Sequence, residues 1–264
     1  SNSRDGGGVY TFTTCGQSGR FGPSQDQAYS AYSGTNPYVS VAVNNGIQEW
    51  IVPVTGDYVI EAYGARGGPG SQYAVGDHGE GAYVKGTFPL EAGDKLHILV
   101  GQEGSYDNMY NSYGGGGGGG TFVAEGTNYE SATPLIIAGG GGGGGYNSSS
   151  YVDGQTGTNG SNGGNATQYN YNGPGIGGSN GMGATGSTYG GNAGGFFSNG
   201  SGNHNYYSEA GVGFRSGGNG GDSRPGGNGG FGGGGGGYGG AGGGGGYSGG
   251  GGGAWYYGGA GGGG

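Results

Sequence analysis

Glycine supplies 87 of the 264 residues and charged residues only 9%; collagen is excluded, because it needs a strict Gly-X-Y period rich in proline, whereas here eight prolines accompany uninterrupted glycine runs. The formal charge of −9 sits mostly in the first half, since from residue 131 onward there are three acids (Asp153, Glu209, Asp222) and two bases (Arg215, Arg224). The dense positive charge by which arginine–glycine segments hold phosphates is missing, so no nucleic-acid partner is expected, and no stretch approaches the ~20 apolar residues of a membrane helix.

Up to about residue 112 the residues alternate apolar and polar in short runs between turn residues, the pattern of antiparallel strands. Strands are predicted at 9–14 (VYTFTT), 38–43 (YVSVAV), 47–52 (IQEWIV), 58–64 (YVIEAYG), 82–88 (AYVKGTF) and 95–100 (KLHILV). Val39, Val41 and Val43 share one face of the second, as Tyr58, Ile60 and Ala62 do in the fourth. Between them NNG, VTGD and EAGD are compact loops. No segment carries a convincing 3.6-residue period, so very little α-helix is expected.

Two more strands, 121–126 (TFVAEG) and 134–139 (PLIIAG), adjoin seven-glycine runs at 114–120 and 139–145. Runs that begin where strands end are not random linkers. A glycine sheet lacks the side-chain pairs that stabilise sheets, and a glycine α-helix costs about 1 kcal/mol per residue against alanine. The polyproline-II type helix remains: three residues per turn, ~3.1 Å rise, with outward N–H and C=O groups that bond to close-packed neighbours. Seven residues then span roughly 22 Å, about one strand length. The expected organisation is a β-sandwich part over 1–112 and a polyglycine-II bundle over 113–264. The bundle carries the interleaved strands and long Asn/Ser/Tyr-rich loops over 146–230, and the whole is one structural unit.

The segments at 10–27 (YTFTTCGQSGRFGPSQDQ), 46–68 (GIQEWIVPVTGDYVIEAYGARGG), 95–104, 114–126, 134–145 and 229–253 together resemble a known family. It is the extracellular glycine-rich domain of the anaplastic lymphoma kinase and leukocyte tyrosine kinase receptors, also carried by many microbial secreted proteins. The resemblance implies a jelly-roll sandwich of the tumour-necrosis-factor type with a hexagonal polyglycine-II bundle inserted between its strands. It also implies an extracellular place, secreted or on a cell or virion surface. In the receptors the domain binds protein ligands, and phage tail-fibre adhesins use similar bundles to present host-binding loops.

Two departures from the family pattern bear on function. Ala28 stands where the receptors have the cysteine that pairs with the first one, which leaves Cys15 unpaired. Family members continue past the last glycine runs into a closing strand, whereas this sequence stops at Gly264: either the closing strand lies outside it or the sandwich lacks one. In the second case an open sheet edge is expected, a template for strand addition, with SNSRDGGGVY at 1–10 as a candidate donor arm. Head-to-tail donation would make an open filament. The expected function is a non-enzymatic structural or assembly module whose partners are copies of itself. The alternative is a binding module, an adhesin tip or receptor ectodomain, that recognises a protein or glycan.

Chemistry-bearing residues are few. GDHGEG at 76–81 gathers Asp77, His78 and Glu80, but His97 falls in a strand and His204 in a glycine loop, so no three-ligand spacing arises and no metal or cofactor is expected. GGNGGD at 217–222 starts like a calcium-binding nonapeptide but has Arg224 at the apolar position and no tandem copy. Cys15 reads as a small half-buried residue, with an intermolecular disulfide as the other reading. Trp255, Tyr256 and Tyr257 read either as an interface patch or as a cap on the glycine lattice. Sequons mark Asn147, Asn159, Asn165 and Asn199 as possible glycan acceptors.

Overall fold

The computed structural model describes residues 8–35, 38–70, 78–106, 114–145, 152–165, 173–186, 189–202, 207–255 and 260–264. Strands β1 (Val41–Asn44) and β2 (Ile47–Ile51) form a hairpin. Its turn uses Asn45 and Gly46 at φ 51° and 80°, the left-handed pair that matches the twist of two-residue hairpins. β2 then pairs with β5 (Lys95–Leu99), β5 with β6 (Thr121–Glu125), and β6 with β7 (Thr133–Ala138), giving a five-stranded antiparallel sheet in the order β1-β2-β5-β6-β7. β3 (Gly56–Tyr63) and β4 (Tyr83–Leu90) form a second, two-stranded sheet. The molecule is thus all-β, with two antiparallel sheets and very little helix.

The alternation read from the sequence places the core. Trp50, Leu96, Ile98 and Val123 on one face of the large sheet meet Tyr58, Ile60 and Phe88 of the small one in a single apolar cluster. The opposite face, carrying Ile47, Leu99, Phe122 and Ala124, packs against Phe196, Phe214 and Phe231 from the glycine-rich half. The large sheet is therefore covered on both sides, which is why β6 is buried at four consecutive positions.

Seven of the expected strands form, with ends shifted by a residue or more; the one expected at 9–14 does not. Residues 8–14 lie outside any helix or strand, although their exposure still alternates, with Tyr10 and Phe12 half-buried between exposed Val9, Thr11 and Thr13. Alternation reports that one face is covered, not that the main chain pairs with a strand, and among the described residues this segment pairs with none; Thr13 bonds instead to the side chains of Tyr32 and Gln48. One helix was missed, α1 (Gln25–Tyr32). Its signal was readable: the Ser24 hydroxyl caps the Gln27 N–H while the Gln27 side chain returns to the Ser24 N–H.

The glycine run 114–120 is buried and bonds outward with a three-residue repeat. Gly115 and Gly118 donate to Gly144 and Gly141, Gly116 and Gly119 to Ser105 and Gln102, and Gly117 and Gly120 to Gly235 and Gly232, all at 2.9–3.0 Å. Its carbonyls accept with the same repeat: Gly115 and Gly118 from Gly242 and Gly245, Gly116 and Gly119 from Gly68 and Ala65, Gly114 and Gly117 from Gly227 and Gly230. Six different segments therefore surround one rod. An added Cβ at Gly116, Gly117 or Gly118 would come within 3.0 Å of a neighbouring backbone carbonyl, so only glycine lets the rods lie this close. The described parts of 146–230 are also hydrogen-bonded to the glycine segments and to one another: Gly163 donates to Gly175, Gly191 to Gly236, Ala193 to Gly250 and Gly221 to Gly234. Short Gly-Gly pairs recur there, joined by fully buried Asn192, whose amide donates to Gly186 O and accepts from the Gly252 N–H.

Candidate binding groove

A gap of about 1090 Å³ opens between the two sheets along the free side of β3. Beneath it lie Trp50, Leu90, Leu96, Ile98 and Val123, all buried, and half-buried Val100. One rim is the run Val54–Tyr63, which includes β3; the other is Gly8–Phe12. β3 bonds to β4 on one side and, among the described residues, to no strand on the other. Among the described residues, no main-chain hydrogen bond engages Val9, Tyr10, Thr11 or Phe12 either. Two extended rims thus face one another across an apolar floor.

Side-chain packing fixes both rims. Tyr10 and Phe12 lie 4.9 and 5.6 Å from the Trp50 ring, and Tyr58 lies 6.2 Å from it on the other side. At one end Thr121 ties the sheets together, its hydroxyl donating to Tyr63 O and accepting from the Gly101 N–H. The outward positions of β3 carry Asp57, Val59, Glu61 and Tyr63. Lys85 of β4 stands 2.8 Å from Glu61 and holds its carboxyl below the usual range, by hydrogen bonding first and charge second.

The residues singled out from sequence lie elsewhere. Cys15 is free and buried, in a cluster with Ala28, Tyr32 and Val39. Its Sγ is 3.3 Å from the Tyr32 hydroxyl, which donates to Gln48 Oε1 at 2.6 Å and accepts from the Thr13 N–H. Burial first, and then the Cys15 thiol, push that hydroxyl up to about 12. Trp255 is half-buried against Tyr189 and Tyr238, with centroids at 4.5 and 6.2 Å. Asn159, Asn165 and Asn199 are exposed, and Asn199 Oδ1 accepts from the Gly213 N–H. Asn147, Tyr256, Tyr257, Asp77, His204 and the first seven residues of the expected donor arm lie outside the described residues. His78 Nε2 stands 3.8 Å from Glu80, and among the described residues no cluster of three or more His, Cys, Asp or Glu could hold a metal. Asp222, the last residue of GGNGGD, instead joins Glu209 around Arg20 at 3.0 and 3.2 Å, tying the N-terminal loop to the glycine lattice. Sequence reasoning placed Trp50 in the core, and it is buried there among Tyr10, Phe12 and Tyr58.

Fold and groove together define an all-β, two-sheet module joined to a glycine-built lattice. The chain is similar to the leukocyte tyrosine kinase receptor of Mus musculus, 44% identical over 100 residues, a match covering 37% of this chain and 11% of that protein. No protein-family model matches the chain. Among the described residues no helix is long and apolar enough to cross a membrane.

Proposed function

We propose that the chain is an extracellular, non-enzymatic binding module in which the glycine segments are polyglycine-II helices, bundled beside a jelly-roll sandwich. The observation that carries this reading is the six-neighbour bonding of the rod at 114–120, which joins lattice and sandwich into a stiff platform. Stiff platforms present ligands at grooves and loops. An extracellular place is supported by the likeness to a receptor. Residues 1–112 and 113–264 are read as one unit, because β6 and β7 from the second part complete the sheet begun by the first. Exposed Asn159, Asn165 and Asn199 are read as glycan acceptors, to be checked by the mass lost on treatment with an N-glycosidase.

A second reading is a structural subunit that joins copies of itself by strand donation, and the open side of β3 favours it. Light scattering after size exclusion, with negative-stain micrographs at high concentration, separates the two. Dispersed single particles support the binding module. Filaments overturn it in favour of assembly.

A further inference from the structure

Tyr63 and Tyr83 close the two-stranded sheet side by side. They are cross-strand partners, their ring centroids lie 4.8 Å apart with the planes 35° from parallel, and both residues stand in solvent, 63% and 45% exposed. Beneath the rings the main chain is fixed: the Gly64 N–H donates to Ala82 O at 2.8 Å, and Tyr63 O accepts from the Thr121 hydroxyl at 2.6 Å. The two phenols are thus held within reach of one another while each ring keeps its rotamer freedom. The sequence contains a single cysteine, so no disulfide can tie β3 to β4, and a covalent tie must use other side chains. We infer that Tyr63 and Tyr83 are a cross-linking site, joined by one-electron oxidation into a dityrosine that locks β3 to β4 where both strands enter the glycine lattice. The inference goes beyond the binding reading and holds under the assembly reading as well.

The oxidant is hydrogen peroxide acting through a haem peroxidase. Each phenol gives up one electron and one proton, and the peroxide, taking two of each, becomes two waters. Glu61, whose carboxylate accepts from the Tyr63 hydroxyl at 3.4 Å, is the nearest acceptor for that proton on its way to solvent. The two tyrosyl radicals then join through a C–C bond between the ring carbons next to their oxygens. The hydrogen on each joined carbon moves to its own oxygen, which restores two phenols, so the chain loses two hydrogen atoms in all. Selectivity comes from pairing and exposure together. Tyr29 and Tyr38 are equally open, 66% and 55% exposed, but neither stacks on another tyrosine among the described residues, so a radical there must meet a second molecule. Tyr207 and Tyr238 also pair, at 4.9 Å and 32°, but Tyr238 is half-buried and packs on Trp255 as well. Tyr63 and Tyr83 offer both rings to the oxidant, at an effective concentration of about 1 mM or more.

The test is limited oxidation of the full chain, at low micromolar concentration, with a haem peroxidase and hydrogen peroxide. The expected product is a monomer with the blue emission of dityrosine, a mass lower by two hydrogen atoms, and a proteolytic map that joins residues 63 and 83. Tyr63→Phe and Tyr83→Phe should each cut the emission of the monomer about fivefold or more, because the remaining tyrosine has lost its close partner. Both positions are exposed, so the variants keep the melting temperature of the wild type. Cross-links confined to dimers through Tyr29 or Tyr38 overturn the site, as does a map dominated by residues 207 and 238. Undiminished emission from either variant overturns it too. So does the absence of dityrosine under conditions that couple free N-acetyltyrosine.

Discussion

The Tyr10 ring sits 4.9 Å from the Trp50 indole, tilted by 52°, and this contact anchors residues 9–12, which make no main-chain hydrogen bond among the described residues. Replacing Tyr10 with alanine removes a half-buried ring and its aromatic pairing, an expected loss of about 1–2 kcal/mol. Urea unfolding followed by Trp emission reads it. Amides of residues 9–12 should exchange rapidly in both proteins, since those N–H groups have no partner among the described residues.

The lattice predicts a contrast between two glycines. At Gly118 an added Cβ meets the carbonyls of Ala65 and Arg66, while at Gly157 nothing lies within 4 Å. Gly118→Ala should cost about 2 kcal/mol or more, as overpacking a rigid interior does. Gly157→Ala should be neutral or stabilise by about 0.5 kcal/mol, through the less flexible unfolded chain. Thermal melts of the pair measure the difference, and equal melting temperatures would contradict the close packing of the rods.

Strands β3 and β4 were legible because one covered face forces period-two alternation, and Tyr58, Ile60 and Ala62 carried that signal plainly. Residues 9–14 carried it as well and were misread, because Tyr10 and Phe12 report a covered face but say nothing of main-chain partners. The groove was illegible for a related reason: its rims, 8–12 and 54–63, are far apart in the chain, and only the fold sets them opposite one another. The backbone bonds that tie 146–230 to the glycine runs were not legible, because its glycines are interrupted by Ser161, Asn192 and Ala193 and their partners lie far apart in the chain.

Helix α1 is too short to show a period, yet its start is encoded locally. Ser24 accepts from the Gln27 N–H at 3.3 Å and Gln27 Oε1 from the Ser24 N–H at 2.8 Å. Ser24→Ala should lower stability by about 1 kcal/mol, with Ser24→Asn close to wild type. Because Ala28 and Tyr32 bury the helix against Val39 and Cys15, the loss should appear in global unfolding and not only as fraying.

Tyr32 gives the molecule an alkaline limit that can be assigned to one group. Its hydroxyl rises from 10.0 to about 12 because it is buried and set beside the Cys15 thiol. A folded value above the unfolded one means that the neutral form is favoured by folding. The associated stability is fully present below pH 10 and is lost as the pH rises through about 12. The full effect is of the order of 2–3 kcal/mol. Tyr32→Phe removes the titrating group but leaves Gln48 Oε1 without its 2.6 Å donor, so the variant should be less stable at neutral pH by about 1–2 kcal/mol. The gap between the two proteins should then close between pH 10 and 12, as the wild type alone loses the benefit of a neutral phenol. Chemical denaturation at pH 8, 10 and 11.5 gives the three points needed, and a gap that stays constant across them would remove Tyr32 from the account of alkaline unfolding.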